Sequence, residues 1–146
     1  MILGKARSIN MKVNELGYMG EQQTKFVIGL SAVSLAFMGD AVLSLLVRER
    51  LVIEGLKPNV LHKEAINHVS ATSQASVYHI LFEICTEEEQ SILKRGRNAA
   101  TNHKAKNAKT IDYRHSTGVE ALFGYLHLTK STQRMMELFE ILWKNQ

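Results

Sequence analysis

The chain has 146 residues and a mass of 16.5 kDa, which fits one domain with a hydrophobic core of its own. Hydrophobic residues make up 45% and charged residues 22%, which excludes a wholly disordered chain, and the single proline excludes collagen-like and proline-rich classes. The single cysteine, Cys85, excludes an internal disulfide and a metal cage made of thiolates. We therefore expect a globular cytoplasmic protein in which Cys85 is a small buried residue.

The start of the chain, residues 1–23, is polar and shows little hydrophobic patterning. It lacks the long apolar stretch of a secretory signal, so we expect a poorly ordered lead-in before a domain over residues 24–146. The most apolar stretch follows at Ser31–Val47, and its one charge, Asp40, would cost roughly 2.5–3.5 kcal/mol at the centre of a membrane. We therefore expect a buried helix of a soluble protein, with no membrane as a partner.

Hydrophobic residues at three- and four-residue spacing predict helices along the rest of the chain. The first of these helices extends over Ala32–Glu54, and Gly55 is a suitable stop. Pro58 opens a second helical region, which continues over Val60–Phe82 with a break near Ser70. The middle of the domain is therefore predicted to be helical throughout.

A capping-box pattern, Thr86-x-x-Glu89, predicts the start of the next helix, which ends near Asn98. After a basic loop, two last helices are predicted over Thr117–Leu128 and Ser131–Lys144. The second of them carries an apolar stripe typical of a hydrophobic core: Met135, Leu138, Phe139 and Leu142. No run alternates with a period of two residues over the length of a strand, so the sequence predicts an all-α fold of about six helices.

Positive charge is concentrated between residues 94 and 114. This segment has seven basic residues and one acidic residue, Asp112, whereas the whole chain has a net charge of only +4. A solvated basic loop is one interpretation, but such a concentration favours an anionic polymer, and the scarcity of aromatic residues favours a duplex recognised by shape. The candidate RNA-binding side chains in and beside the segment are Lys94, Arg95, Arg97, Asn98, Lys104, Lys106, Lys109, Arg114 and His115.

Two carboxylates have apolar neighbours in the sequence. Asp40 lies in the most apolar helix, where it needs a partner such as an arginine, a set of backbone donors or a metal ion. Gly39 beside it leaves space for another backbone, a metal or a ligand. Glu120 has a simpler alternative, because Thr117-x-x-Glu120 is itself a capping-box pattern.

A catalytic role needs both acids together. Mg²⁺ prefers oxygen ligands and often takes one or two carboxylates besides water and phosphate. Carboxylates on two facing helices beside a basic segment would hold Mg²⁺ against a phosphodiester, where the ion would activate water and stabilise the leaving oxygen. The histidines lack the spacing of a zinc site, and no G-x-S-x-G motif supports a serine hydrolase.

Several motifs resemble the catalytic domain of ribonuclease III, and most closely its short Mini-III form. The stretch Leu35–Leu43 (LAFMGDAVL) is similar to the family's signature helix, and Glu120–Leu126 (EALFGYL) is similar to its second acidic helix. Further similar stretches occur in the same order at Lys57–Lys63, Val69–Ala75, Lys94–Ala99 and Tyr113–Thr117. The resemblance covers about residues 30–130.

The resemblance implies an all-α endoribonuclease that cleaves double-stranded RNA with Mg²⁺, for which Mn²⁺ can substitute. Such enzymes act as homodimers with one active site per subunit, leave 5′-phosphate products and mature the ends of the large-subunit (23S) ribosomal RNA precursor. Asp40 and Glu120 match the family's catalytic, metal-binding acids. The first long helix, from Phe37 to Leu51, is the expected dimer face.

The chain departs from full-length ribonuclease III at several acidic positions. Val33, Ala36 and Thr117 stand where that enzyme has acids, and another of its glutamates falls near Pro58. The reduced set leaves open whether one or two metal ions bind. It also motivates an alternative function, a non-catalytic RNA-binding protein of the same fold associated with ribosomes.

Overall fold

The structure, a computed structural model, describes residues 21–99 and 108–146. In that part of the chain there are eight helices and no strand, so the predicted all-α fold is confirmed. The helices are α1 (Glu21–Ile28), α2 (Ala32–Ile53), α3 (Pro58–Val69), α4 (Ala71–Ser76), α5 (Tyr78–Ile84), α6 (Glu87–Ala99), α7 (Ala108–Leu128) and α8 (Thr132–Asn145). Of the predicted lead-in, residues 1–20 lie outside the described ranges, and helix α1 begins directly after them.

Local sequence signals determine where several helices begin and end. Helix α2 ends before Gly55, whose φ of 79° is a conformation that glycine adopts readily, and Pro58 is the first residue of α3. The capping box of α6 is present, since Glu89 Oε2 accepts from the Thr86 N–H at 2.9 Å and Thr86 Oγ1 accepts from the Glu89 N–H at 3.2 Å. These predicted boundaries are confirmed.

The helical region after Pro58 is divided into three helices rather than interrupted once. Ser70 is extended, and its hydroxyl accepts from the Ser73 N–H at 3.2 Å, so it ends α3 and caps α4. A second interruption at Val77 separates α4 from α5. The additional short helix in this region, together with α1, which was not predicted, accounts for the two helices beyond the six expected.

Helix α7 is longer than predicted and overturns one interpretation of Glu120. The helix begins at Ala108, so Thr117 lies in its interior and donates to the Tyr113 carbonyl at 2.8 Å. The capping box at Thr117 and Glu120 is therefore wrong. The error arises because the polar and basic residues of the first half of α7 provide no continuous apolar stripe.

The hydrophobic core surrounds α2 and α7, which pack against each other at the centre of the domain. The predicted apolar stripe of α8 is confirmed as core, and Cys85 is buried, with its pKa raised to about 12 mainly by that burial. None of the helices among the described residues is both long and apolar enough to cross a lipid bilayer. The largest fully buried side chains are Leu35, Leu43, Tyr78, Leu81, Ile92, Leu93, Leu122, Phe123, Leu126, Leu138, Phe139 and Leu142.

Helices α2 and α7 cross with their backbones in contact. A Cβ atom at Gly39 would overlap the Glu120 carbonyl, and one at Gly124 would overlap the Leu35 carbonyl. The space that Gly39 was predicted to leave is therefore filled by another backbone. Because no side chain separates the helices here, the residues next to the glycines are held close to the opposite helix.

Candidate active site

The crossing of α2 and α7 brings Asp40 and Glu120 to the wall of one pocket of about 350 Å³. Asp40 follows Gly39, whose backbone touches the main chain of Glu120. Asp40 and Glu120, which are far apart in the sequence, are therefore close in space. The remaining wall is formed by α2, the end of α6 and the middle of α7. The lining residues are Val33, Ala36, Phe37, Asp40, Ala99, Tyr113, Thr117 and Glu120.

Asp40 is exposed to solvent, which corrects the expectation that it is buried within its helix. The apolar residues around it face two ways: Leu35 and Leu43 point into the core, whereas Phe37 is 83% exposed. Among the basic side chains that the structure describes, none forms an ion pair with Asp40. Its negative charge is therefore available to a ligand in the pocket.

Glu120 is partly buried, and its surroundings disfavour its charged form. Burial, and after it the nearby Asp40 carboxylate, raise the pKa of its carboxyl to about 7. The Ser116 hydroxyl, 3.5 Å from Glu120 Oε1, acts in the opposite direction. A second negative charge in the pocket is therefore costly until a cation offsets it.

The pair fits a hard divalent cation. Both groups are oxygen donors, they line one pocket, and their like charges oppose each other in the absence of a positive group. The described residues contain no cluster of three or more histidine, cysteine or acidic side chains that could hold a metal. Two carboxylates supplemented by water and phosphate are the ligand set that Mg²⁺ commonly uses.

The candidate RNA-binding residues of α6 lie at the end of the helix that reaches the pocket through Ala99. Lys94 is exposed, with its Nζ 5.2 Å from the centre of the Phe82 ring. Arg97 Nε donates to Asn98 Oδ1 at 3.3 Å, and Asn98 is exposed. These side chains provide donors and positive charge on the helix whose last residue, Ala99, lines the pocket.

Arg95 has a different environment, which the sequence did not predict. Its guanidinium donates to the Ile28 carbonyl at 2.8 Å and to the Leu30 carbonyl at 2.6 Å. These are carbonyls at the C-terminal end of α1, where helical hydrogen bonding leaves acceptors free. Arg95 therefore attaches α1 to α6.

Arg114 and His115 lie together in the first half of α7. The His115 ring stacks on Tyr78 at 4.5 Å and meets the edge of His79 at 5.0 Å. Burial lowers the pKa of His115, and His79 and Arg97 lower it further. Arg114 is partly buried, and its Nε has no hydrogen-bond partner among the described residues.

Three further candidates are lysines between residues 104 and 109. Lys104 and Lys106 lie outside the described residues, and so does the side chain of Lys109, whose backbone belongs to the first turn of α7. The described candidates come from the last turns of α6 and the first half of α7, the two helices that flank the gap. The described residues of the segment therefore belong to two helices, and residues 100–107 lie outside the described ranges.

Comparison with known proteins decides the family. Residues 33–131 match the family model of the Ribonuclease III domain. Proteins called Mini-ribonuclease 3 are 46% identical in Streptococcus pneumoniae, where the match covers 75% of this chain and 88% of the relative, and 44% identical in Staphylococcus aureus, where it covers 82% and 92%. The chain belongs to the ribonuclease III family, in its Mini-ribonuclease 3 group.

The fold of this Mini-ribonuclease 3 is also similar to a solved structure. The crystal structure of protein FN1578 from Fusobacterium nucleatum superposes with a TM-score of 0.69 at 28% identity, and the match covers 80% of this chain and 93% of that chain. The family resemblance seen in the sequence motifs is therefore confirmed. The predicted class of activity, an endoribonuclease, is confirmed with it.

Sequence reasoning missed two polar residues behind Glu120 in this Mini-ribonuclease 3. Ser116 and Gln74 are buried and hydrogen-bonded to each other, with Ser116 Oγ 2.8 Å from Gln74 Oε1. Ser116 precedes Glu120 by one helical turn, a spacing that signals a contact once α7 is known to extend through both residues. Gln74 lies on a different helix, and no local pattern points to its contact with Ser116.

Proposed function

We propose that this Mini-ribonuclease 3 is a Mg²⁺-dependent endonuclease of double-stranded RNA that uses Asp40 and Glu120 as metal ligands and catalytic residues. The observation that carries the proposal is the meeting of two carboxylates in one pocket, without a basic side chain that pairs with either among the described residues. A partly buried glutamate beside a second carboxylate costs stability when it carries its charge. A bound divalent cation would offset that cost.

The proposed reaction is hydrolysis of a phosphodiester. Water attacks phosphorus in line, the bond to the 3′ oxygen breaks, and that oxygen takes up a proton, which leaves a 5′-phosphate and a 3′-hydroxyl. A divalent cation supplies positive charge that lowers the pKa of water and stabilises the charge that develops on the phosphate. Asp40 and Glu120 would hold the ion, and the contact between α2 and α7 fixes the spacing of the two backbones that carry them.

Binding of the duplex is assigned to the basic segment. Lys94, Arg97 and Asn98 belong to α6, whose last residue, Ala99, lines the pocket, so we assign to them contacts with the backbone of an RNA strand whose phosphate occupies it. Arg95 adds positive charge while its guanidinium holds the end of α1. The remaining members of the proposed set are Lys104, Lys106, Lys109, Arg114 and His115.

The proposed assembly is a cytoplasmic homodimer that matures the ends of 23S ribosomal RNA precursor. Helix α2 supports a dimer because it leaves large apolar side chains exposed, among them Val33, Phe37 and Leu45. An exposed apolar face of this kind is typical of an interaction surface. A second subunit would place a second active site on the same duplex, so that each site cuts one strand.

Cleavage of an end-labelled duplex tests the proposal. The wild-type protein should cut a stem of 23S ribosomal RNA precursor when Mg²⁺ is present and should not cut it in EDTA. Asp40→Asn should lower cleavage by at least about 100-fold, since it removes a charged metal ligand, while RNA binding in a filter assay persists. Products should carry 5′-phosphate ends.

The matched control is Asp112→Asn. Asp112 is the only other aspartate of the chain and does not line the pocket. The variant should cleave at close to the wild-type rate. Equal activity in Asp40→Asn would remove that residue from the mechanism. Salt-sensitive RNA binding with no Mg²⁺-dependent product would instead support the alternative, a non-catalytic RNA-binding protein of the same fold.

A further inference from the structure

The buried amide of Gln74 has no structural explanation in the packing around it. Gln74 lies on α4 and is only 1% exposed. Its Oε1 accepts from the Ser116 hydroxyl, but its Nε2 has no hydrogen-bond partner among the described residues. An unpaired buried N–H donor is uncommon and costs stability, so its presence calls for a reason.

Other glutamine contacts in the domain show what a structural role looks like. Gln90 Nε2 donates to the Phe82 carbonyl at 2.8 Å and so connects α6 to the end of α5. The side chain of Gln74 makes no hydrogen bond to backbone in the described part of the chain. Its one contact leads to Ser116 and from there to the active-site pocket.

Ser116 is the link between the amide and the active site. Its Oγ lies 2.8 Å from Gln74 Oε1 and 3.5 Å from Glu120 Oε1. A hydroxyl has one proton to donate. Because the contact with Gln74 is the shorter one, Ser116 donates its hydroxyl proton to Gln74 Oε1. The carboxylate then keeps only a contact that is longer than an ordinary O–H···O hydrogen bond.

Half a turn of the carboxamide about its last bond reverses this arrangement. Nε2 then donates to Ser116 Oγ, and the serine proton is free to be donated to Glu120 Oε1. In this orientation the amide oxygen, rather than Nε2, is the atom without a hydrogen-bond partner. A buried acceptor without a partner is less unusual than a buried donor without one. Both orientations occupy the same space, so the turn needs no repacking.

We propose that Gln74 is a positioning residue: its carboxamide, turned so that Nε2 donates to Ser116 Oγ, directs the serine hydroxyl to Glu120 and orients that carboxylate as a metal ligand. This inference rests on the proposed function, because it assumes that Glu120 binds the cation. Hydrogen-bonded partners behind a metal ligand commonly fix the ligand's orientation, and their loss weakens metal binding about 10- to 100-fold.

The test uses Gln74→Met, which removes both amide groups and keeps nearly the same side-chain length, and Ser116→Ala, which removes only the hydroxyl. Mn²⁺ binding to the free protein is measured by electron paramagnetic resonance, and the Mg²⁺ concentration for half-maximal cleavage is measured separately. Each variant should bind Mn²⁺ about 10-fold more weakly and need about 10-fold more Mg²⁺. At saturating Mg²⁺ the cleavage rate should largely recover.

The double variant shows whether Gln74 acts through Ser116. If it does, Gln74→Met combined with Ser116→Ala binds Mn²⁺ no more weakly than Ser116→Ala alone, because the amide has lost its only route to Glu120. If the losses of Mn²⁺ affinity in the two single variants instead multiply in the double variant, the two residues act independently. That result would overturn the inference that Gln74 acts through Ser116. If Gln74→Met does not fold, the Ser116→Ala result decides the matter, since wild-type metal binding in that variant leaves no link to Glu120.

Thermal unfolding separates positioning from a structural role. Gln74→Met should unfold at or above the wild-type temperature, since a buried polar atom without a partner is lost, whereas the control Gln90→Met should unfold at a lower temperature and bind Mn²⁺ normally. Wild-type Mn²⁺ binding and Mg²⁺ dependence in Gln74→Met would overturn the inference. A wild-type protein that neither binds Mn²⁺ nor cleaves RNA would instead overturn the proposed function, and this inference with it.

Discussion

The two acids of the pocket differ in their surroundings. Asp40 faces solvent, whereas Glu120 is partly buried, and this burial together with the Asp40 carboxylate raises the pKa of Glu120 to about 7. An acid that is costly to ionise in the folded state lowers stability when it carries its charge. The site therefore stores a local cost that a bound cation would relieve.

Glu120→Gln should make the metal-free protein more stable while it abolishes cleavage. The neutral amide removes the partly buried charge beside Asp40, and the gain in the free energy of unfolding at neutral pH should be about 1–3 kcal/mol. Chemical denaturation in EDTA measures it. Glu83→Gln, an exposed change on α5, is the control and should alter stability by less than about 0.5 kcal/mol. A less stable Glu120→Gln protein would contradict this account.

Glu89 shows the opposite behaviour at a purely structural site. Burial alone would raise the pKa of Glu89, but hydrogen bonds from Arg134 Nε and Nη2, both at 3.0 Å, and from the Thr86 N–H lower it below its ordinary value. Arg134 Nη2 also donates to the Ile84 carbonyl. The stability that comes from this lowered pKa is present above the ordinary value of 4.5 and is lost as the pH falls through the lowered one.

Arg134→Met should therefore destabilise the fold in a pH-dependent way. Loss of the guanidinium leaves the buried Glu89 carboxylate without its main partner, which should cost roughly 2–4 kcal/mol at pH 7. The difference from wild type should shrink as the pH is lowered and Glu89 takes up a proton. Urea denaturation at several pH values measures both effects. The control Glu137→Gln removes only an exposed partner of Arg134 and should change stability by less than about 1 kcal/mol. A loss of stability in Arg134→Met that does not depend on pH would refute the explanation.

At the scale of helices, the main determinant of the site is the contact between α2 and α7. Gly39 and Gly124 let the two backbones touch, and a similar close contact joins α6 to α7, where a Cβ atom at Gly96 would lie 2.7 Å from Gly118 Cα. Helix α7 is thus held by glycines on two sides. The positions of Glu120 and of the basic end of α6 both depend on this packing.

Gly39→Ala should damage stability and activity together. The new methyl group would overlap the Glu120 carbonyl, so the helices must separate, at a cost of at least about 1–3 kcal/mol that exceeds the gain of about 1 kcal/mol in helix propensity. Denaturation and cleavage assays check both. Gly29→Ala is the control, because its Cβ would meet the Phe26 carbonyl at an ordinary 3.4 Å. A stable, active Gly39→Ala enzyme would show that the crossing is less tight than described.

Local signals predicted the helix boundaries well where the responsible residues are neighbours in the sequence. Thr86 and Glu89 cap α6, Gly55 terminates α2 and Pro58 opens α3. The same reasoning failed at Thr117, where a real contact with Tyr113 four residues earlier replaced the expected cap. A capping pattern cannot be distinguished from a helix interior when the preceding turn is polar.

Contacts between distant segments needed the structure. The meeting of Asp40 and Glu120 followed from the family resemblance rather than from composition or spacing. The contacts of Arg95 with the end of α1, and of Gln74 with Ser116, follow no periodicity, because each joins segments whose relative position is set by the whole core. Arg95 in particular was predicted to bind RNA on its charge alone, and its guanidinium has a second use.

At the scale of the molecule, different faces of α2 have different surroundings. One face joins the core, and the C-terminal helix α8 packs beside it, where Arg50 forms an ion pair with Glu140 and lies 5.4 Å from the centre of the Trp143 ring. Another face leaves Leu45 56% exposed. The exposed face is the surface proposed for the second subunit.

Leu45→Glu should convert the proposed dimer to a monomer. A charged side chain in an apolar interface is costly, and Leu45 does not line the pocket, so the active site itself is left unaltered. Light scattering after size-exclusion chromatography measures the mass. Ile66→Glu changes a residue of α3 that is 52% exposed and should leave the dimer intact. A wild-type mass of one chain, or a dimeric Leu45→Glu protein, would contradict the proposed interface.

Where α2 and α7 cross, main-chain atoms alone set the gap between the two backbones that carry the acids. Glycine is already the smallest residue, so this gap cannot be narrowed by substitution, and no change of rotamer can widen it. In the proposed enzyme, discrimination between ions of different radius therefore depends on the side-chain torsion angles of Asp40 and Glu120, and the solvent-facing Asp40 has the greater freedom. Altered ion preference is expected from changes at residues bordering Asp40, with both glycines retained.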